Sequence, residues 1–176
     1  MKRLKFHRAI VEIAMILIGW LPSLAYDFKV DGIYYNITSN TEVEISCYKY
    51  GLYSGNIAIP NTVENNGITY SVTSIGERAF FDCTTLYDID IPDSVKSIGD
   101  FAFCGCSMLT DIKIPNSVII IGDYAFKACY NLTDIIIGNS VTSIGDFAFY
   151  DCDYLKTIVI PNSVSSIGDY AFYYCI

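Results

Sequence analysis

The chain has 176 residues, of which 52% are apolar and 17% charged, with a formal net charge of -8 and an isoelectric point near 4.4. This balance excludes an intrinsically disordered chain, which needs low hydrophobicity and high charge. It also excludes a basic nucleic-acid binder, whose surface must attract phosphate.

Residues 1–25 read as a secretory signal peptide. Lys2, Arg3, Lys5 and Arg8 form a positive start, and Ala9 to Leu21 is an apolar run interrupted by Glu12. Ser23-Leu24-Ala25 then offers small residues at a cleavage site. The alternative is an uncleaved anchor, but the run is short of the ~20 apolar residues of a spanning helix. Cleavage would remove four of the 11 basic and one of the 19 acidic residues, leaving a net charge of -11. It would also remove His7 and Trp20, the only histidine and tryptophan. The expectation is an exported acidic chain, not inserted in a membrane after cleavage and repelled by phosphate backbones.

Residues 26–56 fit no repeat. Ile33 to Thr38 and Glu42 to Tyr48 read as two strands around a Ser39-Asn40 turn, an N-terminal β-hairpin cap. Ile57-Ala58-Ile59-Pro60 then begins a first, partial unit. Between Pro60 and Ile75 the chain carries nine residues more than between Pro92 and Ile98, and they include Asn65-Asn66-Gly67, a hairpin-turn signal.

Residues 57–176 repeat with a period of 23. Ile-Gly recurs at 75-76, 98-99, 121-122, 144-145 and 167-168. Phenylalanine recurs at Phe80, Phe103, Phe126, Phe149 and Phe172, and cysteine at Cys83, Cys106, Cys129, Cys152 and Cys175. Leu-x-x-Ile-x-Ile, as in Leu86 to Ile91, predicts a turn and a short strand, ended by Pro92, Pro115, Gly138 or Pro161. Gly99 is read as allowing a tight turn. Asp100 suits a helix N-cap, so that Ala102, Phe103 and Cys106 would line the inner face of a short helix. One unit cannot bury its own apolar face, whereas stacked units can, with the Phe and Cys columns forming inner ladders.

The pattern C-x-x-L-x-x-I-x-I-P-x-S-V-x-x-I-G-x-x-A-F resembles the bacterial 23-residue leucine-rich repeat of the Treponema or BspA-like kind. The segment Tyr26-Asp27-Phe28 through Ile37 also resembles the start of secreted BspA-like proteins. The fold class expected is therefore an α/β solenoid, a leucine-rich-repeat horseshoe with a parallel β-sheet on one face and short helices on the other. The resemblance implies a cell-surface protein similar to adhesins that contact host matrix proteins or other bacteria.

The chain stops at Cys175-Ile176, before a next strand. This leaves two readings: a truncated longer protein, or an end covered by a partner or a second copy, with self-association through it. The ladder cysteines read as free thiols acting as small hydrophobes. Cys104 occupies a column otherwise held by Phe81, Lys127, Tyr150 and Tyr173, so it is expected to be partly exposed and reactive.

A mature chain without histidine lacks Ser-His-Asp and Cys-His machinery, and no phosphate loop or dinucleotide fingerprint is present. No cofactor or metal is expected, and carboxylate-pair glycan hydrolysis is the remaining enzymatic alternative. The outward strand columns are Asp88, Asp111, Asp134, Thr157 and Asp90, Lys113, Ile136, Val159. They form the expected partner-binding concave face, acidic at its start and apolar at Ile136 and Val159. Tyr48, Tyr50 and Tyr53 are a second candidate contact, with cap packing as the alternative. The function read from these features is protein binding at the cell surface, with a non-binding scaffold as the alternative.

Overall fold

The computed structural model describes residues 26–175. The signal-peptide reading falls on residues 1–25, outside the described residues.

Two hairpins open the fold. Strands β1 (Phe28–Val30), β2 (Ile33–Ile37) and β3 (Glu42–Ser46) pair antiparallel in sequence order. Strand β4 (Gly55–Ala58) leaves them for the repeat wall. Strands β5 (Thr62–Asn65) and β6 (Ile68–Ile75) form the second hairpin. Asn66 and Gly67 turn it with φ of 52° and 77°, the paired left-handed geometry that matches strand twist.

From there each unit adds one rung with two short extended segments. The Ile-x-Ile segments are β7 (Leu86–Asp90), β9 (Asp111–Lys113) and β11 (Asp134–Ile136). The Ser-Ile segments are β8 (Ser97–Ile98), β10 (Ile120–Ile121), β12 (Ser143–Ile144) and β13 (Ser166–Ile167). The Ser-Ile wall is the continuous one. It joins the hairpins in a nine-stranded sheet of order β1-β2-β3-β6-β8-β10-β12-β13, with β5 on β6. The repeat strands pair parallel, Ile75 beside Ile98, Ile98 beside Ile121 and Ile121 beside Ile144. The Ile-x-Ile wall pairs only two by two, β4 with β7 and β9 with β11. Ile158 and Ile160 of the next unit lie outside any strand.

The short helices expected on the opposite side are absent among the described residues. In their place each rung runs through successive tight turns. Phe101, Tyr124, Phe147 and Tyr170 all hold φ between 54° and 57°, and Gly105, Ala128, Asp151 and Tyr174 hold φ between 58° and 78°. Two left-handed residues per turn segment are incompatible with a right-handed helix. The backbone is satisfied in alternation instead. Ala102, Cys104 and Cys106 donate to the carbonyls three residues back, Gly99, Phe101 and Phe103. Phe101, Phe103 and Gly105 donate across to Asp123, Ala125 and Lys127 of the next rung, at 2.7–2.8 Å.

This arrangement reassigns the recurring Asp column. Asp100 does not cap a helix. Its Oδ1 accepts the backbone N–H of Asp123 at 2.9 Å, and Asp123 and Asp146 repeat the contact with Asp146 and Asp169, both at 2.7 Å. The glycine beside each Asp is needed for close approach between rungs. A Cβ at Gly122 would stand 2.4 Å from Asp100 Oδ1 and 2.7 Å from Asp100 N.

The core is one continuous strip between the walls. Phe80, Phe103, Phe126, Phe149 and Phe172 stack with centroids 5.0–5.3 Å apart and ring planes within 6°. The first four are fully buried, and Phe172 is half-buried. Each thiol of Cys106, Cys129, Cys152 and Cys175 donates to a phenylalanine carbonyl of the previous rung at 3.1–3.2 Å. Cys83 instead accepts the N–H of Tyr53. All seven cysteines are free.

Candidate functional site

The Ile-x-Ile wall alternates because a strand presents successive side chains to opposite faces. Ile89, Ile112 and Ile135 point into the core and are at most 8% exposed. Asp88, Asp90, Asp111, Lys113, Asp134 and Ile136 face solvent, as do Thr157 and Val159 beyond the last strand. The parallel register sets Asp111 beside Asp134 and Lys113 beside Ile136. The two aspartates each accept a bond from the preceding hydroxyl, Thr110 to Asp111 at 2.9 Å and Thr133 to Asp134 at 3.4 Å.

A groove of about 580 Å³ runs across this wall. Of the eight outward residues it collects three, Lys113, Ile136 and Val159. Asp88 and Asp90 lie on β7, in the other two-stranded sheet, and they stand outside the groove with Asp111, Asp134 and Thr157. Ile136 is 62% exposed and Val159 81%, high values for such side chains in a wall whose other face is core. The groove also holds Asn116 and Asn139, which the strand pattern does not reach. They belong to the column after the prolines, where Asn116 Oδ1 accepts the N–H of Asn139 at 2.8 Å. That polar column, Asp93, Asn116, Asn139, Asn162, is visible in the sequence once the units are aligned.

The tyrosine candidates divide. Tyr53 is buried, donates its hydroxyl to the Ser46 carbonyl at 2.7 Å and accepts the Tyr34 N–H at 3.0 Å, so it holds the hairpins to the first rung. Tyr48 packs on Tyr34 and Tyr50 on Phe81, both leaving a face in solvent. Cys104 is not the accessible thiol expected from its column. It is buried, and that burial pushes its pKa up, with Lys127 pulling the other way. A raised pKa and low access both suppress thiolate chemistry.

Residues 41–176 match the BspA type leucine rich repeat region in six copies. The chain therefore belongs to the BspA-type leucine-rich-repeat family. It is similar to a leucine-rich repeat protein from Bacteroides ovatus, at 43% identity and a TM-score of 0.77 over 84% of this chain and 38% of the other. It is similar to the T. pallidum leucine-rich repeat protein, at 30% identity and a TM-score of 0.73 over 83% of this chain and 66% of the other. A leucine rich cell surface protein from Faecalibacterium prausnitzii matches at 27% identity and a TM-score of 0.64, over 83% of this chain and 45% of that one. The chain thus spans less than two thirds of the length of each of these relatives. No curated protein matches it. Leucine-rich-repeat proteins of this family are typically cell-surface and protein-binding.

Proposed function

We propose that this chain is exported and displayed at the cell surface, where its Ile-x-Ile wall acts as the concave binding face for a protein, in the manner of an adhesin. The observation that carries this reading is the groove of about 580 Å³ in which Lys113, Ile136 and Val159 meet. Two exposed aliphatic side chains in its lining, Ile136 and Val159, supply apolar area to desolvate. Lys113, Asn116 and Asn139 supply the polar rim that orients a partner. The aspartates of β7 and β9 extend the wall with negative charge and favour a partner that is basic at that end. Residues 1–25 supply the export signal, and the resemblance to BspA-like adhesins supplies the partner class, host matrix or bacterial surface protein.

The test is binding of the purified chain to immobilised matrix and bacterial surface proteins, read by interferometry. Ile136→Lys and Val159→Lys abolish binding while circular dichroism and the unfolding midpoint stay unchanged. Unaltered binding in both variants overturns the reading.

A further inference from the structure

A second cavity, of about 280 Å³, opens at the N-terminal hairpins, remote in sequence from the groove and built by different elements. Its walls come from the β1–β2 turn and from β5. Asp31 and Gly32 make that turn with φ of 48° and 88°, which sets Asp31 at the rim between Val30 and Ile33. On β5 the strand alternation buries Val63 and leaves Glu64 in solvent, where it lines the same pocket. Tyr35 lines the pocket although it is only 1% exposed, and its hydroxyl has no hydrogen-bond partner among the described residues. The hydroxyl meets solvent at this cavity, so a guest that displaces that water must bond it in turn.

The charges select what that something is. Asp31 and Glu64 are both exposed, and neither has an ion-pair partner among the described residues. Burial and the nearby Asp31 carboxylate push the Tyr35 pKa up to about 12, so the phenol stays neutral at physiological pH and free to accept a bond. An anion is repelled by the two carboxylates and by a chain of net charge -8. A wholly apolar guest leaves the Tyr35 hydroxyl unpaired. The volume is below the usual range for drug-sized ligands and suits one side chain.

We infer that this pocket binds the basic side chain of a protein partner, a lysine or arginine whose aliphatic stem lies on Val30, Ile33 and Val63 and whose cation is held by Asp31, Glu64 and the Tyr35 hydroxyl. Such side chains bury their stems on apolar surface while keeping the charge at a polar rim. The pocket is separate from the Lys113–Ile136–Val159 groove, and neither reading depends on the other.

The experiment is a nitrogen-15 NMR titration of the chain with Nα-acetyl-lysine methylamide, with the norleucine analogue as the uncharged control. The lysine compound produces saturable shifts at residues 30–35 and 62–64, and the norleucine compound does not. Asp31→Asn and Glu64→Gln each weaken binding by about two- to fivefold, the range for partly exposed ion pairs. Tyr35→Phe weakens it by about threefold without lowering the unfolding midpoint, because the hydroxyl lost was unpaired. Equal binding of norleucine, no saturable shift, or unchanged affinity in Tyr35→Phe each overturn the assignment. Tighter binding of free butylammonium than of the blocked lysine overturns the assignment to a chain-borne side chain.

Discussion

Asp123 accepts the backbone N–H of Asp146 on its carboxylate at 2.7 Å, one whole 23-residue unit further along the chain. The contact joins neighbouring rungs outside either strand wall. Replacing Asp123 by alanine leaves that N–H dependent on solvent and lowers the unfolding free energy by about 1 kcal/mol. Asp123→Asn keeps an acceptor oxygen and retains most of it. Urea unfolding of the two variants separates these outcomes.

Gly145 sits against the same aspartate. A Cβ there would stand 2.4 Å from Asp123 Oδ1 and 2.6 Å from Asp123 N, so backbone must move. Gly145→Ala destabilises by about 2 kcal/mol through overpacking. Gly67→Ala meets nothing within 4 Å and acts only through its φ of +77°, at about 1 kcal/mol. The ordering of the two midpoints in chemical denaturation is the check.

Phe126 is fully buried between two parallel rings, whereas Phe172 is half-buried. Phe126→Ala removes about 3–5 kcal/mol, a large fraction of the roughly 5–15 kcal/mol of an ordinary chain. Phe172→Ala is milder. Differential scanning calorimetry distinguishes the larger shift from the smaller.

Ser94, Ser117 and Ser163 each carry a buried hydroxyl oxygen without a hydrogen-bond partner. Ser117→Ala removes an unsatisfied polar atom at nearly constant volume and stabilises the fold by about 1 kcal/mol. A lowered melting temperature in this variant contradicts that account.

Burial pushes the thiol of Cys83 from its ordinary 9.0 up to about 11 and raises Cys106 and Cys129 as well. Tyr35 moves in the same direction, from 10.0 to about 12. In each case the folded state holds its proton after the unfolded chain has lost it. Their contribution to stability is complete below pH 9, and it declines as pH rises from about 9 to 12. Unfolding midpoints measured across that range fall with pH. At neutral pH a maleimide labels these thiols only after denaturant is added.

The recurring columns make the rungs legible in the sequence itself, since Ile-Gly, Phe and Cys recur at one period. The turn face was misread for a physical reason. Ala102, Phe103 and Cys106 have helical spacing, but stacked tight turns bury the same three positions. Aromatic residues in a left-handed conformation, as at Phe101 and Tyr124, carry no local signal, because packing against the next rung imposes it. The Ser-Ile strands are two residues long, too short to show a period. The groove was half legible, in Lys113, Ile136 and Val159. The hairpin pocket was not, since Asp31, Tyr35 and Glu64 meet only through the packing of β5 near β1.

Rung-to-rung bonding runs in both directions: Phe103 donates its N–H forward to Ala125, and Gly122 donates backward to Ile98. Every unit therefore offers its successor the same sockets that it received from its predecessor. Excising one full period, such as residues 100–122, would rejoin matching surfaces and give a shorter but intact array, while a deletion that is not a whole number of 23-residue periods would put each later column out of step. Misaligned recombination between such units can change the reach of the molecule without redesigning it.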